Sequence, residues 1–434
     1  ILLLTFILIA GAAEAANVTV GCAGATGTFD FPSITAALQA NPGGNVAVTV
    51  SGTCSEAVVL ANMQNVQLIG TPGAALVDPG DNPANFGAVL EIDNSQNITV
   101  QNLSIQVAVR AIDFQIPVVA VSGSNVDFRS AKIEGGGPSD GIDVLQSTVR
   151  LIGATVIENN NDGQGIGEGV FVQGPSASVN LRRDLAGNCP LIQGNGDNGI
   201  WLTGTGALLR GGCAVIQNNG LAGISASGGA NITLGVPQAT PSAVQILNNG
   251  FGVVAIVGSH LLIHGPVLIQ GNATDGVRLR NASGEITSAI DGTAGPTIQQ
   301  NGSSTASFST AFCCALPAGI SVANNADLDI SAGLVINNSA PGLLVQDNSS
   351  VRIIGGTGSL SITQNPVGVS VTNVSTAALF LAPSVSGNAN FDITCGPDAV
   401  AYGDLSAVGR TSCQQFKQLP NPGQPPKRRG KPLP

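Results

Sequence analysis

The stretch AVIQNNGLAGISASGGANITL, residues 214–234, holds a branched apolar residue followed three positions later by Asn, and that pair returns along much of the chain. It recurs at Ile157/Asn160, Ile192/Asn195, Ile216/Asn219, Ile246/Asn249, Ile269/Asn272, Ile298/Asn301, Ile362/Asn365 and Val385/Asn388, while Ile336 fits the slot with Ser339 in place of Asn. Most units continue with Gly and a branched apolar residue, as in Gly199-Ile200, Gly223-Ile224, Gly276-Val277 and Gly368-Val369. The pivots lie 24 residues apart from Ile192 to Ile216, 23 from Ile246 to Ile269 and 26 from Ile336 to Ile362, but 38 from Ile298 to Ile336. A fixed minimum with variable excess is what stacked coils with surface loops produce.

Within a unit, apolar and polar residues alternate over four to six positions, as in GIWLTG and GLLVQD, which predicts strands with one buried face. One coil cannot bury that face alone. Stacking coils at the ~4.8 Å strand spacing encloses a column of Ile, Val and Leu and pairs each backbone with its neighbours above and below. Asn suits the corner because it tolerates left-handed backbone angles and its amide can bond the same amide one coil away. The unit is read as strand, Asn-Gly turn, strand, turn and a short third strand.

Composition agrees with such a column. Of 434 residues, 10% are charged and 3% aromatic, while 58 glycines supply turns. The net charge of -10 and pI near 4.5 disfavour nucleic acid and anionic membranes as partners. Residues 1–15, an apolar run ending in Ala13-Glu14-Ala15, read as a signal peptide truncated at its start, and the run is too short for the ~20 residues of a membrane span. The mature protein is therefore expected to be secreted, extracellular and monomeric. Eight cysteines in an exported chain favour disulfides over metal, with Cys22–Cys54, Cys189–Cys213 and Cys395–Cys413 as local pairs and the adjacent Cys313 and Cys314 as a fourth set. Cys189 and Cys213 each lie three residues before a pivot, so stacking sets them within disulfide reach.

Ahead of the repeat, Ile34, Ala37 and Leu38 fall at helical spacing, and a helix there would cover the open end of the column. The order helix SITAAL, strand VAVTVSGTCSEAVVL, then NVQLIGTPGAALV resembles the opening segment of right-handed parallel β-helix proteins of the pectin lyase-like superfamily. With the later coils the resemblance spans about residues 28–412. It implies an all-β right-handed parallel β-helix with an N-terminal capping helix, and leaves activity open among lyases, hydrolases, esterases, epimerases and adhesins. The expected organisation is a cap over residues 16–45, the β-helix over 46–393, a C-terminal cap over 394–416 where the pattern lapses, and a disordered basic Pro-rich tail over 417–434.

Enzymes of that superfamily set acids and bases on one outer face, and charge is densest over residues 127–184. SDGIDV, residues 139–144, is similar to the Asn-Thr-Asp-Gly segment of polygalacturonase-type hydrolases and makes Asp140 a catalytic candidate, although that family's adjacent Asp pair, Gly-His-Gly and Arg-Ile-Lys are missing. Asp143, Asp162 and Glu168 are further carboxylate candidates, with Arg182 as a uronate-neutralising group or lyase base. No cofactor is predicted, and calcium enters only if the chemistry is that of a lyase. His260 and His264 lie about 13 Å apart on a strand, too far for one metal ion. Trp201 alternates with Ile200 and Leu202, so it is expected outside, where an indole can stack on a sugar.

With few aromatics, two His and missing motifs, the sequence by itself favours a non-catalytic extracellular protein, either a surface or matrix component or a binder of polysaccharide along its side. The alternatives are a polysaccharide lyase or glycoside hydrolase acting on an acidic polysaccharide through the residue 127–184 region, and a passive adhesin stalk.

Overall fold

The computed structural model describes residues 15–80, 88–107, 116–135, 137, 140–161, 165–235, 243–289, 295–303, 317–356 and 360–413. The chain winds through three sheets in turn. Ile200–Thr203 lies in the second sheet, Leu208–Gly211 in the first and Cys213–Gln217 in the third, and Ala222–Ser227 returns to the second. Repetition of that circuit gives a first sheet of 15 strands and two sheets of 13, with each strand hydrogen-bonded to its counterparts one coil away. The ladders are parallel and in register, as between Ile200, Leu202 and their partners Ile224, Ala226. The protein is a parallel β-helix.

The repeated pivots form one continuous stack. Ile157, Ile192, Ile216, Ile246, Ile269 and Ile298 pair in succession on the third sheet, and none is more than 1% exposed. Burying each such side chain contributes roughly 1.5–3 kcal/mol relative to exposure. The next coil corrects the sequence alignment: Val335 pairs with Ile298 and Ile362, while Ile336 faces away from the column. Strand alternation has period two, so a one-residue shift exchanges the faces, and the buried partner selects Val335.

That shift also identifies the missing corner residue as Asn338. From Asn160 through Asn195, Asn219, Asn249, Asn272, Asn301, Asn338 and Asn365 to Asn388, each Nδ2 donates to the Oδ1 of the next Asn at 2.8–3.2 Å. Each backbone N–H also donates to that oxygen, and Asp392 accepts from the last member. The left-handed backbone expected at these Asn residues occurs one position earlier, at Asn218, Asn248 and Asn337. The ladder Asn therefore keeps an ordinary backbone, and its predecessor makes the turn. Gly199 follows from the same packing, because a Cβ there would lie 2.8 Å from both Asn219 Nδ2 and Ile216 Cγ2.

At the N-terminal end the helix Ile34–Ala40 starts at Ser33, whose side chain accepts from the Ala36 N–H, and buries Ile34, Ala37 and Leu38 against the column. The strand Ala16–Gly21 precedes it and pairs with Gly44–Ser51, so the first sheet begins before the helix. At the other end, Phe391–Cys395 and Val400–Gly403 still pair with preceding coils, so strand stacking persists beyond Thr394 where the sequence pattern lapses. Disulfides join Cys22 to Cys54, Cys189 to Cys213 and Cys395 to Cys413, with Cα separations of 5.0, 5.3 and 4.7 Å. Residues 1–14, Cys313, Cys314 and residues 417–434 lie outside the described residues. Among the described residues, no helix is long and apolar enough to cross a membrane.

Candidate functional site

The charge-dense stretch does not gather on one face, because successive strands of a coil look outward in three directions. Asp127 pairs with Arg129 and Arg150 on the first sheet, and Lys132 with Glu134 and Glu158 on the third. Arg182 ends the first-sheet strand Ser178–Arg182 and does not join the acidic candidates. Asp162 lies outside the described residues. Asp140, Asp143 and Glu168 come together at the second sheet.

The sequence places them there through its glycines. Gly141, Gly169 and Gly199 occupy the tight space beside the Asn ladder, so the preceding Asp140, Glu168 and Asn198 form one column at the edge of the second sheet. Two residues further along each strand, Asp143, Phe171 and Trp201 form an outward row in three successive coils. Phe171 and Trp201 pack with ring centroids 4.8 Å apart and planes tilted by 39°. Trp201 is half-buried in this outward row.

The carboxyls follow one another in series: Asp140 lies within side-chain reach of Asp143 and Glu168, and Glu168 within reach of Asp197. The Glu168 N–H donates to Asp140 Oδ1 at 2.9 Å. Loss of hydration on burial, then the proximity of Asp140, pushes Asp143 up to about 8 and Glu168 up to about 10. Asp197 rises to about 6, chiefly through burial, while the Glu168 side chain works in the opposite direction. At neutral pH the cluster thus contains both protonated and ionised members, the condition for acid and base roles in one site.

Asp197 and Phe171 were not singled out in the sequence. Asp197 resembles an ordinary turn residue in GNGDNG, but aligning Gly141, Gly169 and Gly199 places it beside the acidic column. The same alignment sets Phe171 between Asp143 and Trp201. Asn198 is 4% exposed, and its Oδ1, like Asp143 Oδ1, has no hydrogen-bond partner among the described residues. No three of the four carboxyls bring ligand atoms within 4.8 Å of one another, so among the described residues the cluster does not form a cation site. His260 bonds Ser283 on the first sheet and takes no part in this cluster.

Fold and side chains together define a parallel β-helix with a carboxyl cluster beside an aromatic pair on its flank. No protein-family model and no curated protein matches the chain. Among solved structures, it is similar to the Azotobacter vinelandii mannuronan C-5 epimerase AlgE4 A-module, with 14% identity over 85% of this chain and 93% of that one, at a TM-score of 0.40. It is also similar to the AlgE6 A-module of that organism, with 12% identity over 85% and 93% of the two chains and a TM-score of 0.35. The catalytic domain of a GH87 α-1,3-glucanase gives 10% identity over 94% of this chain and 69% of that one, with a TM-score of 0.25. These are similarities of overall fold.

Proposed function

We propose that this protein binds a polysaccharide along the outer face of the second sheet and hydrolyses it with the carboxyl cluster. The observation that carries the proposal is the convergence of Asp140, Asp143, Glu168 and Asp197 from neighbouring coils beside Phe171 and Trp201. The aromatic pair supplies an apolar surface for a sugar ring. Asp143, in register with that pair, is protonated at neutral pH and serves as the general acid. Asp197, ionised at neutral pH, serves as the base that activates water.

Asp143 belongs to the strand Ile142–Leu145, and Asp197 lies three residues before Ile200–Thr203, the strand two coils on. Asp140 and Glu168 lie between them as hydrogen-bonded positioning residues. Arg182 lies on another sheet, which favours hydrolysis over a lyase reaction using that residue as base. Three disulfides fit an oxidising, extracellular setting for such a protein.

The test incubates the purified chain with acidic and neutral polysaccharides and follows new reducing ends. Release of product that is lost in Asp143→Asn and Asp197→Asn is expected; product that survives both changes would remove the cluster from the chemistry. One observation favours a non-catalytic glycan-binding role instead: Glu168 is only 8% exposed, and its carboxyl lies beside those of Asp140 and Asp197. Retention on a glycan without cleavage, lost in Trp201→Ala, would select that role.

A further inference from the structure

The first sheet carries a second polar feature on a different flank. Arg150, Asn180 and Arg210 stand in register in three successive coils, and Arg182 lies two residues beyond Asn180 on the same outward side. With Ser178 and Thr148 they line a shallow groove of about 370 Å³. The chain has a net charge of -10, yet this groove gathers three arginines. Asp127 and Asn125 hold Arg150 from one side. Arg182 and Arg210 are exposed, and neither has an ion-pair partner among the described residues.

We propose that this groove binds an anionic saccharide segment through its carboxylate or sulfate groups. Arg presents a planar set of donors that fits either anion in two-point contact. Coils rise by ~4.8 Å, so Arg150 and Arg210 lie about 9.6 Å apart along the axis, and a chain laid over the groove can meet a cation at each end. Asn180 and the Thr148–Ser178 hydroxyl pair, 3.1 Å apart, supply neutral donors and acceptors between them. Specificity for charged over neutral glycan would then arise on the first sheet, apart from the carboxyl cluster. The choice of a saccharide ligand rests on the polysaccharide function proposed above, while the charge preference comes from the groove itself.

Binding of oligogalacturonate, a heparin-derived oligosaccharide and a neutral cello-oligosaccharide of similar length tests the assignment in the full chain, its Arg210→Gln and Arg182→Gln/Arg210→Gln variants, and Asp143→Asn. The expected result is binding of one or both anionic probes, weakened about tenfold per arginine removed, reduced by salt, and unchanged in Asp143→Asn. The probe that binds more tightly distinguishes carboxylate from sulfate. Equal binding of the neutral probe, or no loss in the double variant at an unchanged unfolding midpoint, would overturn the assignment. So would failure of both anionic probes to bind, or sedimentation showing that the arginines instead join two copies of the acidic chain. Loss of cleavage in Asp143→Asn with arginine-dependent binding intact would separate the two sites.

Discussion

Glu168 and Asp140, from adjacent coils, are joined directly: the Glu168 N–H donates to Asp140 Oδ1 at 2.9 Å, and the two carboxyls lie close enough to raise the proton affinity of Glu168. With Asp143 on the other side of Asp140, the native cluster retains protons that the unfolded chain releases at neutral pH. Folded-state values raised to about 8 and about 10 mean that the native chain binds more protons than the unfolded one above the ordinary carboxylate range. The cluster's contribution to stability should therefore be full only below the ordinary carboxylate range and be lost as pH rises from there through about 8 and about 10. Thermal unfolding of wild type and Glu168→Gln across this window checks the sign. The variant, which cannot ionise, should show a flatter dependence and a higher midpoint on the alkaline side; a wild-type midpoint that rises with pH would contradict it.

The same protonation states set an activity profile. Hydrolysis should rise as Asp197 ionises near about 6 and fall as Asp143 loses its proton near about 8, giving a bell with its maximum between them. Asp143→Asn and Asp197→Asn should each lower turnover by ~10²–10⁴. Initial-rate profiles, with the anomer of the first product read by NMR, test both points. A retained configuration would reject the proposed roles.

Phe171 and Trp201 should contribute to glycan binding more than to folding. Trp201→Ala should weaken binding of an oligosaccharide by about tenfold, the order expected from losing one aromatic platform. Titration calorimetry, paired with thermal unfolding, separates the two effects. A large fall in midpoint with unchanged affinity would assign the ring to packing alone.

The Asn ladder should govern stability. Asn219→Ala removes the acceptor for both the N–H and Nδ2 of Asn195, and takes away the side-chain donor to Asn249. At ~1–3 kcal/mol for each buried polar group left unpaired, the loss should exceed about 2 kcal/mol. The exposed Asn188, bonded to Asp184, provides the comparison, and its replacement by Ala should cost under about 0.5 kcal/mol. Denaturant unfolding of both variants measures the difference.

Much of the fold was legible because stacking repeats the same demand in every coil. Ile192 and Ile216 must fill equivalent places in the column, and Asn195 and Asn219 equivalent places in the ladder. The coil at Val335 was misaligned because Val335 and Ile336 both suit a strand, and Asn337 and Asn338 both suit a turn. Only pairing with Ile298 selects the correct pair. Among the acidic candidates, Asp140 and Asp143 could be seen to share a local motif, whereas Asp197 lies 54 positions after Asp143 and enters the cluster through coil stacking.

The sequence by itself determined that the chain stacks, because an apolar stripe recurring at coil spacing can be buried only by the neighbouring coils. It also marked the stacking residues, since each must satisfy the same backbone and packing requirements. Which charges meet was decided only by the tertiary structure. A coil turns its three strands toward three different directions, so Asp127, Lys132 and Asp140, close in sequence, are distributed over separate flanks. Residues a whole coil apart, such as Asp140 and Glu168, are brought within a hydrogen bond. The chemical character of the flank depends on that exchange of sequence proximity for proximity along the helix axis, and on the burial that raises the cluster's proton affinity.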